Sequence, residues 1–295
     1  GDPTRGIHSP PGSMVRSSHP WKSMGGRTGN RRGNRPCRPG GARAVKTDGR
    51  GQTVSLRLFL TGNHPCAYLP GLEARTLFVD PLAPIDGARY QFLLEHGFRR
   101  SGTDIYRPEC AGCRRCVPVR IPIEDFFPNR SQRRNMARNM TDLTLVERPA
   151  RFDPGHFRLY AAYLRSRHPG GGMSENITRE SYEEFLLVPW GGETQLLEIR
   201  LGDRLAAVAV TDLLPRSLSA VYTFFDPDLS TRALGTFAVL SQIAQARRIG
   251  RKHLYLGYWI ESCGKMSYKD RFRPIEAFVA EQWRRVSRGE PISSP

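Results

Sequence analysis

The chain has 295 residues, with 39% hydrophobic and 9% aromatic content, enough for one large domain or two small ones. No run approaches 18 consecutive apolar residues, which excludes a membrane-spanning helix, and the charged, Gly/Pro-rich start lacks the apolar centre of a signal peptide. The formal net charge is +17, and residues 1–53, with 11 Lys/Arg against 2 Asp/Glu, hold just over half of it.

That first segment contains runs such as Gly29-Asn30-Arg31-Arg32-Gly33-Asn34-Arg35-Pro36. Such a composition buries too little apolar surface to offset its ordering entropy. Residues 1–53 are therefore expected to form a disordered basic leader, read as sequence upstream of the folded part. The remainder is still basic, which suits a polyanionic partner.

An N-terminal, cysteine-containing domain is expected over 54–150. Val54–Leu60 alternates as a strand does, 65–71 reads as a loop, and Thr76–Val79 as a short apolar strand. Asp86–His96 has helical spacing and stops before Gly97. Phe98–Tyr106 and Val117–Ile123 look like strands around a cysteine loop, and Ser131–Met140 like an Arg-rich helix.

A second domain is expected over 151–285. Phe157, Tyr160, Ala161 and Leu164 keep helical spacing, and Thr178 is placed to cap a second helix through Leu186. Thr194–Arg200, Leu205–Leu213 and Leu218–Phe225 read as strands, the first two joined by the hairpin signal Gly202-Asp203. A long helix over Ala233–Arg248, a strand at His253–Leu256 and a last strand near Glu276–Ala280 follow. Meander, helix, strand is the core order of the acetyltransferase-like (GNAT-like) α/β fold, so the expected class is α/β (α+β) with a GNAT-like C-terminal half. That fold usually holds coenzyme A pyrophosphate on backbone N–H groups at the start of the long helix. Here the matching stretch, Arg232-Ala233-Leu234-Gly235-Thr236-Phe237, puts Phe237 at the second small position. Its bulk is expected to block close phosphate approach.

Two stretches concentrate chemistry: Tyr222-Thr223-Phe224-Phe225-Asp226-Pro227, and Leu254 to Lys269 with three tyrosines, a thiol and two lysines. Together with Cys66-Ala67-Tyr68-Leu69-Pro70-Gly71, Ala74-Arg75-Thr76-Leu77-Phe78, Gly97 to Gly102, Tyr106-Arg107-Pro108, Val117 to Pro122 and Ser131-Gln132-Arg133-Arg134, they resemble the aminoacyl-tRNA–protein transferases. The resemblance runs from about Cys66 to Trp283 and is strongest to the bacterial aspartate/glutamate leucyltransferases. Leu72 and Ala233 depart from it, standing where a charged and a small polar residue are expected. The resemblance implies an acetyltransferase-like catalytic half. It implies cytoplasmic transfer of leucine from Leu-tRNA to proteins that begin with Asp or Glu, a step toward their degradation in the N-end rule pathway.

Aminoacyl-tRNA is an activated ester, so transfer requires neither ATP nor a metal. The enzyme must hold a neutral amine near the ester carbonyl, take a proton and steady an oxyanion. Asp226 is the candidate for gripping or deprotonating the amine, and Tyr222, Tyr258 and Tyr268 for donating to the oxyanion or relaying a proton. An acidic first residue on the acceptor calls for an arginine fork, for which Arg99, Arg100, Arg107 and Arg120 are candidates. Arg130, Arg133 and Arg134 on one helix form a candidate phosphate track, and Lys265 and Lys269 candidate contacts to the tRNA terminal phosphates. Cys110, Cys113 and Cys116, with Cys66, are candidate ligands of a zinc or iron–sulfur site. The related eukaryotic arginyltransferases also have a cysteine-rich N-terminal region. Three alternatives stay open: arginyl transfer, an acetyl-CoA-dependent N-acetyltransferase, and a non-catalytic zinc-bearing RNA-binding module.

Overall fold

The computed structural model describes residues 56–167 and 177–292, so the expected leader lies outside the described residues. The chain enters through β1 (Leu58–Leu60), the ribbon strands β2 (His64–Pro65) and β3 (Glu73–Ala74), and β4 (Thr76–Val79). Helix α1 (Gly87–Glu95) starts where the Asp86 carboxylate accepts from the Arg89 N–H, and Gly97 beyond its end has φ +81°. The strand expected over Phe98–Tyr106 is a hairpin instead. Gly102, at φ +60°, turns the chain between β5 (Arg99–Ser101) and β6 (Asp104–Pro108).

Next come β7 (Val117–Pro122), α2 (Arg130–Asn139) and β8 (Leu143–Pro149), the last not anticipated from the sequence. An Asn129/Gln132 capping box opens α2. Helix α3 (Pro154–Arg167) and α4 (Arg179–Tyr182), capped by Thr178 and continued by a π-turn over Glu183–Leu187, lead into the meander. Its strands are β9 (Glu193–Leu201), β10 (Arg204–Leu213) and β11 (Ser217–Phe225). A 3-10 turn (Pro227–Arg232), the long α5 (Leu234–Arg248) and β12 (His253–Trp259) follow. Then come α6 (Gly264–Ser267), a 3-10 turn (Tyr268–Arg271), and a closing hairpin of β13 (Ile275–Val279) and β14 (Gln282–Val286).

The four-stranded sheet has the order β1-β4-β6-β5, and the eight-stranded one β14-β13-β7-β12-β11-β10-β9-β8. Strands β7 and β8, both before residue 150, thus lie in one sheet with the strands that follow. Alternation sets the faces of the meander. Leu196, Val208, Val210 and Phe224 pack with Tyr160 and Leu164 of α3. Leu197, Ile199, Ala207 and Ala209 pack with Leu234, Phe237 and Ala238 of α5. Burying one such side chain contributes roughly 1.5–3 kcal/mol. Phe237 is therefore a core residue: it turns toward the sheet, so its bulk is spent on packing rather than on shielding the start of α5.

Candidate active site at the open seam of the large sheet

Among the described residues, the only parallel seam of the large sheet joins β11 to β12. It is closed at Ser217↔His253, Leu218↔Leu254 and Ser219↔Tyr255, yet β11 runs on to Phe225 and β12 to Trp259. Beyond Ser219 the strands are no longer paired with each other, which exposes backbone groups in the middle of a sheet. Arg99 of β5 reaches into this opening and donates from Nη2 to the Val221 carbonyl at 3.4 Å. Room for it comes from Gly257, where φ is +73° and a Cβ would stand 2.9 Å from Arg99 Nη1.

Consecutive residues on β5 face opposite ways, and this separates Arg99 from Arg100. Arg100 donates to Asp212 from Nε at 2.9 Å and from Nη2 at 2.7 Å, with both side chains fully shielded. Thr194 also donates to Asp212 Oδ1 at 2.7 Å, and Trp190 lies under the guanidinium at 5.3 Å. Arg120 is paired with Glu276 at 2.6 Å and stacked on Trp283, and Arg107 is paired with Glu109 at 3.2 Å and Glu281 at 3.4 Å. Of the four arginines, Arg99 has tyrosines rather than a carboxylate around it. Burial alone would lower its pKa, but Tyr106, Tyr68, Tyr258 and Tyr90 raise it, and it stays charged.

The expected catalytic groups divide. Tyr258 is fully buried, its hydroxyl 3.1 Å from the Gly97 carbonyl and 3.0 Å from that of Tyr106, so it braces β12 against the β5–β6 hairpin. Both oxygens of Asp226 are engaged. Oδ2 accepts from Arg204 Nε at 2.7 Å, and Oδ1 from the Asp228 N–H at 3.0 Å, capping the turn after β11. Tyr222 sits among Tyr160, Tyr163 and Phe185, its hydroxyl buried and without a partner among the described residues, and burial raises its pKa well above the ordinary value. Tyr268 keeps 39% of its surface exposed, but its hydroxyl end is tucked in, and burial, then nearby Tyr163, raise the pKa of that hydroxyl. It lies close enough to feel the charge of Arg99.

Lys265 is exposed on the short helix α6 that follows β12. Lys269 departs from the expected phosphate contact: it is only 4% exposed, and its Nζ donates to the Tyr258 carbonyl and lies 3.0 Å from Met266 Sδ. Burial, and then the neighbouring Arg99, bring its pKa down to about 7. Arg130, Arg133 and Arg134 are exposed along α2, and Gln132 of that helix donates to the Arg271 carbonyl at 3.0 Å. The basic helix is thus bonded to the loop that carries Tyr268 and Lys269.

The cysteines approach one another without forming a ligand set. Burial first, and then Cys66, Cys110, Cys113 and Cys263, push the Cys116 thiol up to about 12. A metal site needs thiolates in ligating geometry. Among the described residues no group of three or more His, Cys, Asp or Glu is placed to hold a metal ion, so the four-sulfur site expected from Cys66, Cys110, Cys113 and Cys116 does not fit this arrangement. Cys263, from the other half of the chain, was not anticipated as their neighbour, and neither were Tyr68, Tyr106 and Tyr163 around Arg99 and Tyr268. The Cys66–Gly71 stretch was the one signal pointing at Tyr68.

Fold and site together define a mixed α/β protein with a cationic, phenol-lined opening in its main sheet. Among the described residues no helix is long and apolar enough to cross a membrane. Residues 64–134 match the model of the arginine-tRNA-protein transferase N terminus, and 155–279 that of its C terminus. An aspartate/glutamate leucyltransferase of Chromohalobacter salexigens is 50% identical over 237 residues, 79% of this chain and 94% of that protein. One of Pseudomonas aeruginosa is 46% identical over 234 residues, 79% of this chain and 97% of its own. The crystal structure of FemX superposes with a TM-score of 0.40 at 11% identity, covering 72% of this chain and 81% of that one. The chain belongs to the arginine-tRNA-protein transferase family.

Proposed function

We propose that this chain transfers leucine from Leu-tRNA to the N-terminal α-amine of proteins that begin with Asp or Glu, in the cytoplasm and as an N-end rule step toward their degradation. The relatives named aspartate/glutamate leucyltransferase support the donor and acceptor classes. The observation that carries the acceptor side is Arg99, a charged fork in the sheet opening with tyrosines rather than a carboxylate around it. An acidic first side chain supplies the carboxylate, and a planar guanidinium matches it in two parallel hydrogen bonds.

The tRNA approaches along Arg130, Arg133 and Arg134, with the exposed Lys265 of α6 as a further phosphate contact, so its aminoacylated end reaches the loop bonded to α2. Tyr268, part-exposed and near enough to feel the charge of Arg99, donates to the oxyanion that forms on the ester carbonyl. The acetyltransferase-like reading of the C-terminal half is supported by the order of meander, α5 and β12 and by the opened β11–β12 seam. The proposed transfer uses no metal or organic cofactor, because the donor ester is already activated.

Discharge of labelled Leu-tRNA and Arg-tRNA onto peptides starting with Asp, Glu, Asn or Gln tests this directly. Leucyl transfer confined to Asp and Glu is expected. Arg99→Met should lower transfer by roughly 30-fold or more, the loss of one desolvated charge pair, at unchanged tRNA affinity. Discharge of Arg-tRNA alone overturns the donor assignment, and undiminished transfer by Arg99→Met overturns the acceptor assignment.

A further inference from the structure

The two hydrogen-bond acceptors around Lys269 fit a neutral amine. Such an amine has two N–H hydrogens and one lone pair, whereas an ammonium has three hydrogens to satisfy. The Tyr258 carbonyl takes one hydrogen and the Met266 thioether, at 3.0 Å, a second. The valence left over is the lone pair. The charged and titratable groups near the amine are Arg99 from β5, Cys116 ahead of β7, Cys263 ahead of α6 and Tyr268, whose ring centre is 5.6 Å away, and none is a carboxylate. Buried ammonium ions without a carboxylate are costly, and a like charge adds to the cost.

We propose that Lys269 is the base that takes the proton from the acceptor's α-ammonium group, an assignment that rests on the transfer reading above. Lys269 is bonded to the Tyr258 carbonyl of β12, the residue after Gly257, over which Arg99 lies, and it is near enough to feel the charge of Arg99, so a first residue whose side chain is held by Arg99 would bring its α-nitrogen toward the lysine. The ammonium gives one proton to Nζ. The freed amine attacks the ester carbonyl carbon, forming the C–N bond. Collapse of the tetrahedral intermediate breaks the bond to the ribose oxygen, which leaves with the second proton of the attacking nitrogen. The net proton released by the reaction remains on Nζ until product leaves. Burial and Arg99 hold the amine at about 7, close to the range of a free α-amine, as an efficient base requires. The acceptor carboxylate, by neutralising Arg99, strengthens this base at the moment it is needed.

The test is single-turnover transfer from labelled Leu-tRNA to a Glu-starting peptide, with wild type, Lys269→Met and Lys269→Ala. Wild-type transfer is expected to rise with pH through about 7 and then level. Lys269→Met, an apolar replacement of similar length, is expected to fold and to bind Leu-tRNA as wild type does, and to lose transfer by roughly 100- to 10,000-fold. Lys269→Ala should regain at least tenfold with trimethylamine, a base that cannot itself be acylated. Transfer by Lys269→Met within tenfold of wild type, or a folded, tRNA-binding Lys269→Ala that no amine rescues, overturns the assignment. A wild-type enzyme that fails to leucylate the peptide at all sinks the transfer reading instead, so the two failures are distinguishable.

Discussion

Arg100 and Asp212 meet through two hydrogen bonds of 2.9 and 2.7 Å with both side chains out of solvent, and they fasten the small sheet to the large one. The pair fixes β5 in place, and the residue before it, Arg99, thereby points into the β11–β12 opening. Asp212→Asn keeps the shape and leaves the guanidinium charge uncompensated. Breaking a buried pair this way costs about 3–5 kcal/mol. Urea unfolding should show that loss, and a change below about 1 kcal/mol would contradict the role.

Gly257 has the complementary task of leaving room. Its φ of +73° disfavours any side chain, and a Cβ there would press on Arg99 at 2.9 Å. Gly257→Ala should lower stability by about 1 kcal/mol and raise the KM for the acidic peptide more than it changes Leu-tRNA affinity. Unchanged KM in a folded variant would show that Arg99 tolerates displacement.

For Asp226 the geometry predicts a structural phenotype. Asp226→Asn retains the oxygen that caps the turn after β11 and loses the ion pair to a half-exposed Arg204. A loss of about 0.5–1.5 kcal/mol and transfer within threefold of wild type are expected. A hundredfold drop in transfer at unchanged tRNA binding would restore it to the catalytic group.

The basic face of α2 predicts a salt effect. Arg130→Ala, Arg133→Ala and Arg134→Ala combined should weaken tRNA binding and reduce the slope of log affinity against log salt by about 0.7–0.9 for each phosphate that is no longer neutralised. Fluorescence titration between low and moderate salt reads both. An unchanged slope would remove α2 from the tRNA path.

The local elements were legible because their signals are local. Thr178 caps its helix as expected, the stretch read from Asp86 is a helix that Gly97 ends, and the meander strands carry their hydrophobic alternation in the chain itself. The misses have physical causes as well. Strand β8 alternates weakly because at the sheet edge both of its faces are largely solvated, and the β5–β6 hairpin is too short to read apart from one strand. Phe237 looked like an obstacle at a loop because sequence does not show which way a helical ring turns.

The sequence by itself determined the family, most of the elements in their order and many of the residues able to do the chemistry. Tertiary structure alone decided which of them are available. Arg99 and Arg100 are the same residue type at adjacent positions, yet one is consumed by Asp212, 112 residues away, and the other faces an opening between two strands. Lys269 likewise became a buried amine with two acceptors only when β12 and its loop folded back over it. Charge pairing and desolvation depend on what lies within a few ångströms in space, and neighbours in space are set by the packing of strands that lie far apart in the chain.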